Sequence, residues 1–277
     1  MSERDGYRAG VPCWVAAVHP DPEAGVAFYT ALFGWEAADI MPAEGAGRYF
    51  VCTLRGRAVA AVGSGRGGEA PQVPAWGTYI WVDSAEETAA RAADAGGSVL
   101  TEPFDLLDAG RLAVLADPAG AVFCAFQPGR HRGAQVVNEP GAWAMSTLHT
   151  ADPETAAAFY GRLFGWQADA MDFGGMTATM WRLPGYQGGE PGQPVPADVV
   201  GVLLPEAPDQ SRDASPPSWS VDFWVHDPEA TAATAAALGA TVLVPPLDTP
   251  VGRTGVIADP QGASFSISEA PTPSAPA

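Results

Sequence analysis

The chain contains one module twice, and this duplication constrains its fold more than any other feature. The segment DPEAGVAFYTALFGWEA at Asp21–Ala37 returns 131 residues later as DPETAAAFYGRLFGWQA at Asp152–Ala168. The segment LADPAGAVF at Leu115–Phe123 returns 142 residues later as IADPQGASF at Ile257–Phe265. A repeat of roughly 120–130 residues is too long for a solenoid unit. We therefore interpret it as a duplicated domain whose second copy has gained 11 residues between its two landmarks.

The repeats divide the chain into two modules. The first module is expected at residues 10–128 and the second at 142–270, joined by a linker at 129–141. Residues 1–9 are expected to form a loose arm, and the Pro- and Ala-rich tail at 271–277 is expected to be disordered. Each module is long enough to have its own hydrophobic core.

Composition and charge exclude several classes of function. The formal net charge is −18 and all 14 basic residues are arginine, with no basic stripe, so a nucleic-acid partner is not expected. No apolar run approaches the roughly 18 residues that span a bilayer, and the first residues lack the apolar segment of a signal peptide. Cys13, Cys52 and Cys124 form no CxxC motif and fit reduced thiols better than disulfides. We therefore expect a cytoplasmic protein without a membrane partner.

The pattern of apolar residues and turn signals predicts the same element order in both modules. A strand at Cys13–Val18 precedes a helix that begins at Asp21 and Pro22 and ends at Gly34, because these residues favour helix starts and stops. Further strands are predicted at Tyr49–Leu54, Ala58–Val62, Gly77–Val82, Ser98–Leu100, Leu112–Ala116 and Val122–Phe126, and further helices at Ala85–Ala95, Asp152–Phe164 and Asp227–Leu238. Each module thus contains two βαβββ units. The extra residues of the second module fall in Gly185–Pro217, predicted to be a long irregular loop, either a lid or a simple insertion.

The strand followed by DPE, FYxxLFGW and DPxG motifs, twice in register, resembles the glyoxalase/bleomycin-resistance/extradiol-dioxygenase (vicinal oxygen chelate) superfamily. The resemblance covers about residues 10–270. It implies an α+β fold in which the paired βαβββ units of each tandem module form a curved mixed sheet, with the helices outside and a cup for a ligand inside. The superfamily includes metalloenzymes and metal-free drug-binding proteins, and its two-module actinobacterial members include proteins of aromatic natural-product pathways. The fold therefore leaves the function open.

The resemblance also implies where metal ligands would lie. In the metal-dependent relatives they come from the first strand, the mid-module strand and the last strand of a module. The corresponding residues here are Trp14, Gly77 and Cys124 in the first module and Met145, Ser220 and Ser266 in the second. Divalent metals need several His, Asp or Glu ligands together. We therefore expect no metal and no cofactor.

Strand alternation predicts which side chains enter each cup, because successive residues of a strand point to opposite faces. The apolar row that includes Trp219 and Phe223 should face the helices. The first cup is then lined by Trp14, Tyr79, Trp81, Cys124 and Phe126. The second is lined by Met145, Thr147, His149, Ser220, Asp222, Trp224, Ser264, Ser266 and Ser268. Aromatic walls suit stacking on a flat conjugated ligand, although the same aromatic residues could fill the first cup as ordinary core.

Asp222 and His149 are the titratable residues that this pattern places in the second cup. A carboxylate beside an imidazole is suited to acid–base catalysis, and the alternative is a structural hydrogen bond. His19 and His226 adjoin the Asp residues that begin helices, so both are expected on the surface. His131 lies in the linker and is given no role.

Three functions remain open at this point. The first is metal-independent binding of a flat aromatic small molecule, such as an antibiotic or a polyketide intermediate, for resistance or to assist a tailoring enzyme such as an oxygenase. The second is a metal-independent isomerase, cyclase or hydroxylase-like enzyme that uses Asp222 and His149. The third is a metalloenzyme whose ligands lie elsewhere. The second cup is slightly favoured as the site. The duplication is compatible with a monomer as well as a homodimer, because one chain supplies both modules.

Overall fold

The structure is a computed structural model of the 277-residue chain. It describes residues 3–42, 44–68, 73–172, 177–188, 196–205, 216–250 and 252–271. The expected disordered tail lies outside the described residues except for residue 271, as do two parts of the inserted segment, 189–195 and 206–215. None of the helices in the described part of the chain is both long and apolar enough to cross a membrane.

The first module contains two βαβββ units, as the sequence predicts. Its elements are β1 (Pro12–Val18), α1 (Pro22–Phe33), β2 (Glu36–Asp39), β3 (Tyr49–Leu54), β4 (Arg57–Gly63), β5 (Ala75–Trp81), α2 (Ala85–Asp94), β6 (Ser98–Leu106), β7 (Gly110–Ala116) and β8 (Val122–Pro128). The second module repeats this order. Its elements are β9 (Trp143–Thr150), α3 (Pro153–Phe164), β10 (Gln167–Asp172), β11 (Thr177–Arg182), β12 (Val199–Pro205), β13 (Ser218–Val225), α4 (Pro228–Ala237), β14 (Thr241–Thr249), β15 (Gly252–Ala258) and β16 (Ser264–Glu269).

The helix boundaries follow from the repeated motifs. The side chain of Asp21 accepts a hydrogen bond from the backbone of Ala24, and Gly34 ends α1 in the left-handed conformation that glycine adopts without strain. Asp152 and Gly165 bound α3 in the same way. The short strand β2, by contrast, was not located from the sequence, because all four of its residues are exposed and it lacks an apolar alternation.

Each module forms one eight-stranded mixed sheet. The strand order is β2-β3-β4-β1-β5-β8-β7-β6 in the first sheet and β10-β11-β12-β9-β13-β16-β15-β14 in the second. The central strands β1 and β5 run antiparallel, and so do β9 and β13. The fold class predicted from the sequence, two tandem α+β modules with curved sheets, is confirmed.

The hydrophobic cores are shared between the modules, which differs from the expectation of one core for each module. One cluster joins the aromatic residues of α1 to Phe223 and Phe265 of the second sheet. The other joins α3 of the second module to Phe123 of the first, through Phe159 and Tyr160. Each helix α1 and α3 therefore packs against the opposite module as well as its own.

Two further expectations from the sequence are wrong. The segment 185–217 is not irregular throughout, because it contains β12, whose run of Val and Leu pairs in parallel with β9. The arm is not loose over its described residues either. The backbone of Arg4 donates to Gln135, and the hydroxyl of Tyr7 donates to the carbonyl of Ala134 at 2.7 Å.

Candidate functional site

The concave faces of the two sheets carry matching rows of side chains. In the first sheet Trp14 pairs with Tyr79, and Tyr79 pairs with Cys124. In the second sheet the same register aligns Met145, Asp222 and Ser266 across three strands. Trp81 and Phe126 correspond to Trp224 and Ser268, and Gly77 corresponds to Ser220. The two cups are therefore comparable position by position.

Aromatic side chains fill the first cup. Trp14 is 2% exposed and donates its indole N–H to the hydroxyl of Tyr49 at 3.2 Å. The ring centroids of Tyr79 and Phe126 lie 6.5 Å apart in an edge-to-face arrangement. Burial raises the pKa of Tyr49 and of the Cys124 thiol to about 12, so both groups are neutral near pH 7. These groups are therefore unsuited to acid–base or thiolate chemistry.

The linker and the arm cover what remains of this cup. The imidazole of His131 lies edge-on to Trp14, with ring centroids 4.4 Å apart, and also contacts Phe126 at 5.8 Å. Burial lowers the pKa of His131 to about 4, so the ring is neutral at pH 7. The guanidinium of Arg132 lies 5.0 Å from the ring centre of Trp81. The predicted aromatic set is thus brought together, but the chain itself covers it.

The second cup has a polar floor. Asp222 is half-buried, and the hydroxyl of Ser268 donates to one of its carboxylate oxygens at 2.8 Å. Thr254 lies 3.1 Å from Ser268, and it must donate there because the single hydroxyl proton of Ser268 points to Asp222. Ser266 is half-buried beside Asp222, while Ser264 is exposed at the end of β16. The two hydroxyl groups thus hold one oxygen of Asp222 in place.

Burial raises the pKa of Asp222 to about 7, and the hydrogen bond from Ser268 offsets this only in part. A carboxyl group with such a pKa exchanges its proton near neutral pH. Strongly perturbed groups in a concave site are characteristic of functional residues. Asp222 takes the position of the neutral Tyr79 of the first module, so here the second cup gains a group that titrates near pH 7.

The structure does not bring Asp222 and His149 together as an acid–base pair. Asp222 pairs with Met145, whereas His149 pairs with Ser218, four residues further along β9. Four strand residues correspond to roughly 13 Å. His149 instead lies 2.9 Å from the hydroxyl of Ser220, which itself donates to the carbonyl of Thr147. The predicted proximity failed because alternation gives the face of a residue but not its register with the next strand.

Apolar side chains surround the polar floor, and they were not predicted from the sequence. Val202 and Leu204 of β12 pair with Thr147 and His149, so they share the concave face. On the other side, Val244 and Leu247 of β14 pair with Val256 and Thr254 and are 39% and 47% exposed. The bulges of β14 shift its alternation, which is why these faces could not be assigned from the sequence.

A small cavity lies beside the second cup at the start of β9. Its lining includes Arg4, Tyr7, Trp143, Met145 and Tyr186. Met145 belongs to the floor of the cup as well, so the cavity and the cup adjoin at this residue. The N-terminal arm therefore contributes to the surroundings of the second cup.

The aligned residues do not fit the divalent metal that the superfamily's metalloenzymes use. The row across the second sheet offers a thioether, a carboxylate and a hydroxyl, and the row in the first offers an indole, a phenol and a thiol. Within the described ranges, no three His, Cys, Asp or Glu side chains come close enough to hold a metal ion. The register also shows that Asp222, rather than Ser220, lies between Met145 and Ser266.

Two buried networks at the junction of the modules were not predicted. His19 is fully buried, which corrects the expectation that it lies on the surface, and its Nε2 atom lies 2.5 Å from the carboxylate of Asp259. Tyr29 donates to the same carboxylate at 2.7 Å, and Trp76 donates to Tyr29 at 2.9 Å. Burial by itself would raise the pKa of Asp259, but the bonds from His19 and Tyr29 outweigh it and hold that pKa below its ordinary value.

The pseudo-symmetric network consists of Asp117, Tyr160 and Trp219, with Thr150 at the position of His19. Here burial raises the pKa of Asp117, and the backbone hydrogen bonds counter it only in part. The histidine is therefore what distinguishes the two junctions. His226, in contrast, is exposed as expected.

Comparison with protein families agrees with this architecture. The family model described as "Glyoxalase-like domain" matches residues 14–126 and 145–268, once in each module. The chain therefore belongs to the family of glyoxalase-like domain proteins, as a tandem two-module member.

Relatives that match nearly the whole chain are named either as a glyoxylase or as anthracycline biosynthesis proteins. The chain is 39% identical over 270 residues to "Putative glyoxylase CFP32" of Mycobacterium tuberculosis (strain CDC 1551 / Oshkosh), covering 96% of this chain and 97% of that protein. It is 35% identical over 275 residues to "Anthracycline biosynthesis protein DnrV" of Streptomyces peucetius, with 95% and 94% covered. "Anthracycline biosynthesis protein DauV" of Streptomyces sp. (strain C5) is 34% identical over 275 residues, with the same coverage.

Solved structures with the same fold are distant in sequence. The Mn(II)-bound glyoxalase from Novosphingobium aromaticivorans superimposes with a TM-score of 0.62 at 15% identity, covering 96% of this chain and 83% of that one. The 2,2',3-trihydroxybiphenyl 1,2-dioxygenase from Sphingomonas wittichii strain RW1 gives 0.59 at 13% identity, with 96% and 92% covered. These likenesses establish the vicinal oxygen chelate fold and nothing about activity.

Proposed function

We propose that this protein binds a flat aromatic small molecule in the cup of its second module without a metal ion. The ligand would be an antibiotic or an intermediate of a polyketide-type pathway. Binding would serve resistance, or would present the molecule to a tailoring enzyme such as an oxygenase. The first cup would then mainly stabilise the fold.

The contrast between the two cups is the observation that supports this proposal. Trp14 and Phe126 of the first cup are almost fully buried, and His131 covers both. Their counterparts in the second cup, Met145 and Ser268, are half-buried. Small-molecule sites combine apolar walls with a few placed polar groups. The second cup offers that combination, with Trp224 half-buried on its surface as a stacking partner.

The names of the relatives support the ligand class. DnrV and DauV are named as anthracycline biosynthesis proteins, and an anthracycline is a flat polycyclic aromatic compound. These names concern those proteins, and they guide the choice of probes for this one.

A titration with flat tricyclic probes tests the proposal. The chain has nine tryptophans, so binding of aminomethylanthracene, hydroxymethylanthracene or anthraquinone should quench tryptophan emission. In calorimetric titrations, Trp224→Ala should weaken binding several-fold to more than tenfold, because a lost stacking partner costs about 0.5–1.5 kcal/mol beyond the buried area.

The matched control for this titration is Trp81→Phe in the first cup, where Arg132 already covers the ring. This variant should bind the probes like the wild type. If every probe leaves the emission unchanged, or if Trp81→Phe weakens binding and Trp224→Ala does not, the proposal is wrong.

The pKa of Asp222 supports a second candidate, a metal-independent enzyme in which Asp222 alone acts as the acid–base group. A group that titrates near pH 7 is well matched to proton transfer at that pH. Such an enzyme would convert an aromatic substrate in the presence of a chelator and lose turnover in Asp222→Asn. His149 would not be its partner in proton transfer, since the two residues lie on different parts of the strand pair.

A further inference from the structure

We infer that the second cup selects an aromatic ligand carrying a protonated amine, with Asp222 as the counter-ion at the floor. This inference rests on the proposed function, because it specifies the ligand class of the same site. It depends on the position of Asp222, the orientation of its carboxylate and the charges of the surrounding face.

The carboxylate is held so that one oxygen remains for a ligand. Ser268, which receives a hydrogen bond from Thr254, occupies one oxygen. In the part of the chain that the structure describes, the other oxygen has no hydrogen-bond partner. An ionised carboxylate accepts hydrogen bonds only, so the complementary group is a donor, and a charged donor binds it most strongly.

The neighbours of Asp222 suit a cation. The indole of Trp224 lies two residues along the same face of β13, and an aromatic face attracts an ammonium group. Ser220 and Ser266 add hydroxyl oxygens on the same face. An ammonium group needs acceptors for its three donors, and this floor offers a carboxylate and hydroxyl groups.

The basic side chains around the second cup already have partners within the chain. Arg4 lines the cavity that adjoins the cup at Met145, and its guanidinium donates to the carbonyl of Gly188. On the concave face of the second sheet, two other titratable sites lie among the described residues. One is His149, four residues along β9 from Met145, the partner of Asp222, and the other is the cluster around Arg182. Arg182 is on β11, three strands away, and it is bound between Asp169 and Asp198 at 2.9 and 3.0 Å. The facing residues of β15 and β16, Thr254, Val256, Ser266 and Ser268, carry no charge. The chain as a whole has a formal net charge of −18, which also favours approach of a cation.

The main alternative is a neutral ligand with a carbonyl group, and the affinity for such a ligand would have the opposite dependence on pH. A protonated Asp222 could donate its proton to a carbonyl of a neutral ligand, such as a quinone. Binding of a carbonyl would then weaken as the pH rises and Asp222 ionises. Binding of an ammonium group would strengthen over the same range, since the cation pairs with the ionised form.

A pH series with matched probes tests the inference. Aminomethylanthracene and hydroxymethylanthracene have nearly the same shape and differ in charge, and anthraquinone supplies the carbonyl acceptor. With a carboxyl pKa of about 7, the ionised fraction of Asp222 rises from about a tenth at pH 6 to about nine tenths at pH 8. We expect the amine to bind about tenfold more tightly at pH 8 than at pH 6, and more tightly than the alcohol at pH 8.

Asp222→Asn should remove both the pH dependence and the preference for the amine while leaving binding of the alcohol in place. Asp108→Asn, a change at an exposed aspartate of the first module, is the matched control and should behave like the wild type. If the alcohol binds as tightly as the amine, or if anthraquinone binding strengthens at pH 6 while amine binding stays constant, the inference is wrong and the proposed function stands. If none of the three probes binds, the proposed function itself fails.

Discussion

At the scale of single residues, the two copies of the module differ at every position of the row that joins their three central cup strands. Tyr79 in the first module corresponds to Asp222 in the second, and Cys124 corresponds to Ser266. A half-buried tyrosine adds packing to the sheet, whereas a carboxyl group with a raised pKa costs stability whenever it is ionised. A residue that destabilises its own fold is characteristic of a binding or catalytic site.

This cost predicts that Asp222→Asn stabilises the protein. The pKa of Asp222 is raised from 3.8 to about 7, so the folded state holds its proton where the unfolded state has lost it. Its contribution to stability is therefore present below about pH 4 and is lost as the pH rises through 7. At pH 8 the free energy of unfolding of Asp222→Asn should exceed that of the wild type by up to about 4 kcal/mol.

Urea unfolding at pH 5 and pH 8 measures this difference, which should be larger at pH 8. An Asp222→Asn protein that is less stable than the wild type at pH 8 would show that the carboxylate has a stabilising partner in the fold. The second oxygen of Asp222 would then not be free for a ligand.

At the scale of elements, the sequence predicted the strands and helices well where caps and alternation were clear. The bounds of β3 were predicted as found, and both FYxxLFGW helices begin and end at the expected Asp and Gly residues. The strand β12 was missed, because it lies within a Gly- and Pro-rich segment that suggested a loop. Local patterns cannot show that such a run is completed by pairing with a distant strand.

The candidate site was predicted less well, because strand register and the path of the linker decide which side chains meet there. Alternation predicted that Met145, Asp222 and Ser268 share one face of the sheet, and the strand register agrees. It could not show that His149 lies four residues along β9 from Met145, the partner of Asp222. It also could not show that His131 folds back onto Trp14. Both are properties of how elements meet, which the residues within one element do not encode.

At the scale of the whole molecule, the two modules form a single packed unit. Thr78 of β5 and Ser146 of β9 are hydrogen-bonded at 2.7 Å, and each aromatic core draws on both modules. One chain thus provides the paired modules that a single-module protein would need two copies to form. The pairing leaves two cups free to diverge, one toward packing and, as we propose, the other toward binding.

The buried pair of His19 and Asp259 should stabilise this arrangement. His19→Thr introduces the residue that the second module has at position 150, and it removes a partner of a buried carboxylate. We expect a loss of about 1–3 kcal/mol in the free energy of unfolding at pH 7. Because the pKa of Asp259 is lowered in the folded state, its contribution is present above about pH 4 and is lost as the pH falls through the folded value.

Thermal unfolding of His19→Thr at pH 7 and pH 3 tests this, with His226→Thr at an exposed histidine before a helix as the control. The difference from wild type should shrink at pH 3, and the control should match wild type at both. A His19→Thr protein as stable as wild type at pH 7 would mean that the junction does not depend on this pair.

A crystal structure of the protein with aminomethylanthracene bound would show whether the second cup binds ligand while the chain itself fills the first. We expect the ring system to lie against Trp224, with its ammonium group within hydrogen-bonding distance of the free carboxylate oxygen of Asp222. In the same crystal His131 should remain packed on Trp14. Density for the ligand in the first cup with His131 displaced, or in the junction between the modules, would mean that the second cup is not the binding site.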